Sequence, residues 1–230
     1  MTITPSILTR WAGLAAVAAG AIFIGVQINH PQLDATSIQT TEVAVRDTLK
    51  VVMAALALAG ITGMYLNQVR KNGLLGLIGY VVFAAGYLGI MCVTFAAAFV
   101  LPEVATSDPG FVNDVIAVNT GRGTVTGDIG ALQTVLQVLG FAYLAGSLLF
   151  GVALYRARVL TRWAAALLAV AGVATAALSM MPDSLYRLLA FPNGIAMIAL
   201  GYSLWQVARA DSATHSAAVD TPVPSTAGAE

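Results

Sequence analysis

Between Lys71 and Glu103 the chain reads NGLLGLIGYVVFAAGYLGIMCVTFAAAFVLP, residues 72–102, a run of 31 residues without a charge. A helix needs about 20 mostly apolar residues to cross the hydrocarbon core of a bilayer, so this run holds one crossing and is too short for two. Its apolar residues are continuous and do not alternate, which excludes a strand of a membrane barrel. Five further gaps between charges are of the same kind: Arg10 to Asp34, Lys50 to Arg70, Asp128 to Arg156, Arg162 to Asp183 and Arg187 to Arg209, with 23, 19, 27, 20 and 21 uncharged residues. The sequence therefore predicts an all-α polytopic membrane protein, a six-transmembrane-helix bundle over residues 1–209. Its spans fall at about 8–29, 48–69, 73–101, 129–155, 161–181 and 187–208.

Composition agrees. Apolar residues make up 58% of the chain and charged residues 10%, with a mean hydropathy of +0.83. A soluble domain carries about 25% charged residues, so water is not the solvent for most of this surface. The net charge is zero and the bases are scattered, which argues against a nucleic-acid partner. Cys92, the single cysteine, permits neither an intrachain disulfide nor a cysteine-pair metal site, and its apolar setting predicts a buried, inert thiol. Abundant alanine and glycine, with nine arginines against two lysines, fit a bacterial protein from a GC-rich genome.

Orientation follows from the bases beside the spans. With the N-terminus inside, the cytoplasmic flanks carry Arg10, Arg70, Lys71, Arg156, Arg158, Arg162 and Arg209, seven bases against four outside. The positive-inside rule then puts both termini in the cytoplasm and the chain in the bacterial inner membrane. Trp11, Trp163 and Trp205 fall near the same interface, and the first span is too long for a signal-peptide core. Echoes between helix ends, such as Thr9-Arg10-Trp11-Ala12 and Thr161-Arg162-Trp163-Ala164, read as interface physics, in which helix ends favour a snorkelling arginine and an aromatic ring. The glycines at 73, 76, 79, 86 and 89 stripe the third span and predict close helix packing.

Two outer loops have substance. Ser107-Asp108-Pro109 is a helix start, and Phe111, Val112, Val115, Ile116 and Val118 follow at helical spacing, predicting a short amphipathic outer-surface helix. Thr126 or Asp128 is placed to cap the fourth span. Residues 210–230, rich in Ser, Ala, Thr and Pro, predict a disordered cytoplasmic tail.

No Asp, Glu, Lys, Arg or His lies in the centre of a span, which argues against a proton relay, an ion-coupled transporter or a haem-binding bundle. No cofactor and no metal site is expected: His30, Asp34, Glu42 and Asp47 have suitable ligand chemistry but no metal-motif spacing. The polar residues that remain are biased to the outer half. Gln133 and Gln137 lie one turn apart, Thr94 and Asn29 sit in outer segments, and Arg187 precedes Pro192-Asn193-Gly194, a broken start to the sixth span. Gln133, Gln137, Asn193, Thr94, Asn29 and Arg187 are thus the candidate ligand-binding residues. Each also has a plain structural reading, since a buried amide bonding a neighbouring helix contributes about 0.6 kcal/mol. Asp47 and Lys50, spaced i,i+3, read as an interfacial pair.

Tyr65-Leu66-Asn67-Gln68-Val69, Gly73-Leu74-Leu75-Gly76-Leu77-Ile78-Gly79-Tyr80, Phe99-Val100-Leu101-Pro102, Leu154-Tyr155-Arg156-Ala157, Arg162-Trp163-Ala164, Leu189-Ala190-Phe191-Pro192 and Leu200-Gly201-Tyr202 look like stretches of small bacterial membrane proteins. With them the chain resembles a six-helix integral membrane protein family of GC-rich bacteria, a domain of unknown function, over roughly residues 8–208. The resemblance implies the fold and transfers no catalytic residue. Three roles are consistent with the residues. The first is a non-enzymatic protein of the lipid bilayer that meets a membrane partner or a second copy, or senses a lipid or small amphiphile. The second is outward-facing binding or transport through a pocket of Gln133, Gln137 and Asn193. The third is a membrane enzyme using His30 with Asp47 and Glu103.

Overall fold

The computed structural model describes residues 4–179, 188 and 190–219, with side chains placed at 4–175, 188 and 190–211. The chain is all-helical: α1 (Pro5–Gly25), α2 (Thr41–Asn67), α3 (Val69–Phe99), α4 (Leu101–Ser107), α5 (Pro109–Thr120), α6 (Ala131–Ala157), α7 (Arg162–Ser179) and α8 (Ala190–Val219). A single 3-10 turn, Ser37–Gln39, precedes α2, and there is no strand among the described residues. By length and composition α1, α2, α3 and α6 can cross a membrane, whereas the apolar stretch Arg162–Thr175 of α7 is shorter. Arg187 and the end of the fifth predicted span lie outside the described residues.

The six long helices close into a ring in which α1 packs on α2, α2 on α3, α3 on α6, α6 on α7, α7 on α8 and α8 back on α1. Small residues make the closest contacts. A Cβ on Gly13 would lie 2.7 Å from the Gly201 carbonyl oxygen, and one on Gly20 would lie 2.4 Å from that of Gly194. Each pair member recurs at seven-residue spacing, so α1 and α8 meet antiparallel along one glycine-lined seam. Between α3 and α6, Gly79 faces the Phe150 backbone, Gly86 faces Tyr143, and Gly146 faces Phe83. Inside the ring Met53, Ile61, Phe83, Phe150, Leu168, Met197 and Leu200 are fully or nearly fully buried. The exterior is apolar too: Trp11, Leu74, Phe141 and Val173 are more than half exposed, a surface suited to lipid.

The predicted glycine stripe holds at 79, 86 and 89 and fails at its start. Gly73 faces open space at φ 57°, and the methyl space at Gly76 is taken by its own neighbour Asn72. Cys92 is exposed, contrary to expectation, because it lies on the outward face of α3 with Leu88, Phe95 and Phe99. Pro192 falls in the first described turn of α8, and the helix runs on through it. That helix continues to Val219, past residue 210, where a disordered tail is expected.

At the end away from Arg70 and Arg158 a cap covers the ring. Leu101, Ala105, Val112, Val115, Ile129 and Leu136 bury a second apolar cluster with Ala35, Ile38 and Val43. The predicted amphipathic helix is α5: Asp108 Oδ1 accepts from the Phe111 N–H at 2.9 Å, and Gly121 ends the helix in the left-handed conformation. Asn113 Oδ1 accepts from the Ala35 N–H at 2.8 Å and ties the α1–α2 loop to this cap. Neither Thr126 nor Asp128 caps α6. Its N-cap is Gly130, because Asp114 captures the Thr126 and Gly127 N–H groups at 2.8 Å each, and Asp128 accepts from Gly130. The Thr126 and Gly127 amides hold the Asp114 carboxyl below its usual range against the opposing effect of burial. Lowering a carboxyl pKa in the folded state stabilises above pH about 4, and the gain is lost as pH falls through the lowered value.

Candidate functional site

Two groups of buried polar side chains lie in the capped half of the ring. The first forms where α1 turns back toward α2. Asn29 takes φ 52°, and the chain then places His30 against the first turns of α2. Thr40 starts α2 by accepting from the Val43 N–H, so the helix begins a full two turns before the apolar run, in a segment bearing Glu42, Arg46, Asp47 and Lys50. Arg46 donates from Nη1 to the carbonyls of Val26 and Ile28 at 3.0 Å each and from Nη2 to that of Asn29 at 3.3 Å. One guanidinium thus satisfies the carbonyl end of α1, while its Nε donates to Glu42.

Behind this clamp, Lys50 Nζ donates to Asp47 Oδ1 at 2.6 Å and to His30 Nε2 at 2.9 Å, and His30 Nδ1 donates to the Pro31 carbonyl at 2.8 Å. Those contacts require the neutral Nδ1–H imidazole, since Nε2 must accept. Asp47 is 2% exposed, and its second oxygen has no hydrogen-bond partner. A buried carboxylate with one oxygen unpaired carries a desolvation cost that a donor from outside the chain would offset.

The second group joins α3, α6 and α8. Tyr87 donates to Asn193 Oδ1 at 3.3 Å, Asn193 is 1% exposed, and its Nδ2 has no acceptor. The Tyr87 and Tyr143 rings meet edge-on at 5.4 Å, with Phe83 packed against both, and the buried Tyr143 hydroxyl makes no hydrogen bond of good geometry. Gly194 lies against Gly20 and Ile24, which sets Asn193 at the depth of the last turns of α1.

Of the six residues singled out from the sequence, five are described, and among those Asn193 alone is buried. Gln137 is exposed and Gln133 half-buried on α6, Thr94 donates back to the Ile90 carbonyl of its own helix, and Asn29 is an exposed turn residue. No hydrogen bond joins any two of these five, and Arg187 lies outside the described residues. Nor does Glu103 join His30 and Asp47, since it is exposed. The four possible metal ligands are engaged by three sets of partners: Asp34 accepts from the Thr36 and Ser37 N–H groups, Glu42 holds Arg46, and Asp47 and His30 share Lys50. No group of three or more metal-ligating side chains occurs among the described residues.

Sequence reading missed Tyr87, Tyr143 and the Lys50–His30 contact. A signal was present for the contact, because consecutive antiparallel spans bring the end of one beside the start of the next. For the tyrosines the signal was a phenol inside an apolar run, which prefers a partner for its hydroxyl when buried. No protein-family model, curated protein or solved structure matches the chain, so its function has to be read from its own geometry.

Proposed function

We propose that the chain crosses the bacterial inner membrane six times with both termini in the cytoplasm. In this reading it is a non-enzymatic receptor that admits a small amphiphile from the outer side. The polar head enters the capped half of the ring, and the apolar part lies among the aromatic side chains. The observation that carries this reading is the Asn193 amide on α8, 1% exposed, whose Nδ2 is unpaired while its Oδ1 accepts from Tyr87, together with the unpaired Asp47 Oδ2 of the other polar group on α2. They offer a carboxylate acceptor and an amide donor, a combination that suits a small hydroxylated or amine-bearing head.

The arrangement does not favour a hydrolase. His30 Nε2 is taken up by an ammonium, and its Nδ1 faces a backbone carbonyl, whereas a general base needs a free nitrogen within reach of a nucleophile. A second reading has its own support. Gln137 is exposed within an apolar helix, next to Gly140, which faces open space, and to Phe141 at 72% exposed. An amide facing lipid is satisfied when a second copy docks there.

Native mass spectrometry of the full chain from mild detergent tests both readings. The receptor reading expects a retained small-molecule mass that Asn193→Leu and Tyr143→Phe each lose. A chain that leaves detergent with no adduct in any preparation contradicts it, and a dimer lost in Gln137→Leu supports the second reading.

A further inference from the structure

At the basic end of the ring α3 is broken in its second turn. Gly73 sits at φ 57° and ψ −158°, so the apolar helix that runs to Phe99 starts afresh after it. A helix starting after such a break presents its first amide N–H groups without intrahelical carbonyls, and the positive end of its dipole lies there. A cavity of about 280 Å³ opens at this start, lined by Lys71, Asn72, Gly73, Leu74 and Leu75 of α3 and by Arg156 of α6, with no acid among its lining residues.

Asn72 is 6% exposed, and neither Oδ1 nor Nδ2 has a hydrogen-bond partner. The absence of a side chain at Gly76 makes room for it, since a Cβ there would lie 2.3 Å from Asn72 Cβ. So the backbone break, the glycine and the asparagine together hold an unpaired amide at the wall of a cavity flanked by two bases. An amide left this way costs free energy unless a polar atom from elsewhere meets it. Leu74, 71% exposed, extends the cavity onto the apolar flank of the bundle.

We propose that this cavity binds the phosphodiester of an anionic phospholipid in the leaflet at the basic end. Lys71 and Arg156 neutralise the phosphate, Asn72 Nδ2 and the first amides of the restarted helix donate to its oxygens, and the acyl chains run down the Leu74 flank. A free phosphate would share the polar contacts but would leave the apolar flank unused. The site requires that the chain be embedded in a bilayer and does not depend on the amphiphile reading, which concerns the opposite end.

The test uses the full chain in mild detergent with equal amounts of phosphatidylglycerol and phosphatidylcholine, read by native mass spectrometry. The wild type should retain phosphatidylglycerol over phosphatidylcholine by roughly tenfold, and Arg156→Gln and Asn72→Leu should each reduce that preference by about fivefold. Arg158→Asn, which changes an exposed base outside the cavity, should leave the preference intact. Should Asn72→Leu fail to fold, as judged by gel filtration, Arg156→Gln at an exposed position carries the test. Equal retention of the two lipids, or a preference unchanged in Arg156→Gln, overturns the proposal. Displacement of the bound lipid by millimolar inorganic phosphate overturns the lipid assignment in favour of a free anion.

Discussion

Adding one methyl group at Gly146 is expected to lower folding stability by about 3 kcal/mol, whereas the same change at Gly140 is expected to be neutral or stabilising. The two glycines lie on one helix, less than two turns apart. A Cβ on Gly146 would sit 2.3 Å from the Phe83 amide nitrogen and 2.4 Å from its Cα, and both are backbone atoms. No rotamer change relieves such a contact, so α3 and α6 must separate. They are also pinned at Gly79 against Phe150 and at Gly86 against Tyr143, and a shift at one level is felt at the others. Around Gly140 there is nothing within 4 Å, and alanine there recovers helix propensity of roughly 1 kcal/mol. Unfolding midpoints of Gly146→Ala and Gly140→Ala in detergent, titrated with a denaturing surfactant, decide the matter. A Gly146→Ala protein as stable as the wild type would show that the helices do not approach this closely. The same logic applies to Gly20 and Gly201 on the α1–α8 seam, which closes the ring.

The second large effect concerns Asp47 and Lys50. Removing Asp47 alone, as Asp47→Leu, leaves the Lys50 ammonium largely buried, with a side chain 14% exposed. Breaking one half of a buried pair typically costs about 3–5 kcal/mol, while replacing both halves with apolar groups of similar volume is often close to neutral. Asp47→Leu and Lys50→Met are therefore each expected to destabilise strongly, and the double substitution is expected to approach the wild type. The His30 ring, whose Nδ1 donates to the Pro31 carbonyl, is left in place in each variant. A double-mutant cycle on unfolding free energies measures the coupling directly. Additive losses would mean that the two charges are solvated separately and that the buried chain from His30 to Asp47 is not a unit.

Much of the helical layout was legible because uncharged runs of 19 to 31 residues leave a chain little choice but helix in an apolar setting. Residues 108–120 were legible for a different reason: an Asx cap, a proline inside it and apolar residues at helical spacing are local signals that tertiary contacts did not override. What sequence could not settle was direction. Gln133 and Gln137 share a helix face with each other, but which way that face points depends on where α3 and α7 press on α6. Cys92 went astray for the same reason. Contacts distant in sequence, such as Asn113 with Ala35, leave no mark on either segment alone. Gly73 shows a subtler failure. It continues the spacing of a packing stripe, yet its role is to break the backbone and leave Asn72 buried without a partner. Asp114 likewise looks like one more loop acid until the Thr126 and Gly127 amides are seen to fold onto it.

The membrane topology underlies the amphiphile reading, because the capped half of the ring must face outward for a ligand to enter from outside. Reporter fusions made after Arg70, after Glu103 and after Arg158 test it most directly. A cytoplasmic signal is expected at Arg70 and Arg158 and an exterior signal at Glu103. An exterior signal at Arg70 together with a cytoplasmic one at Glu103 would invert the protein, and the same signal at all three sites would contradict the six crossings.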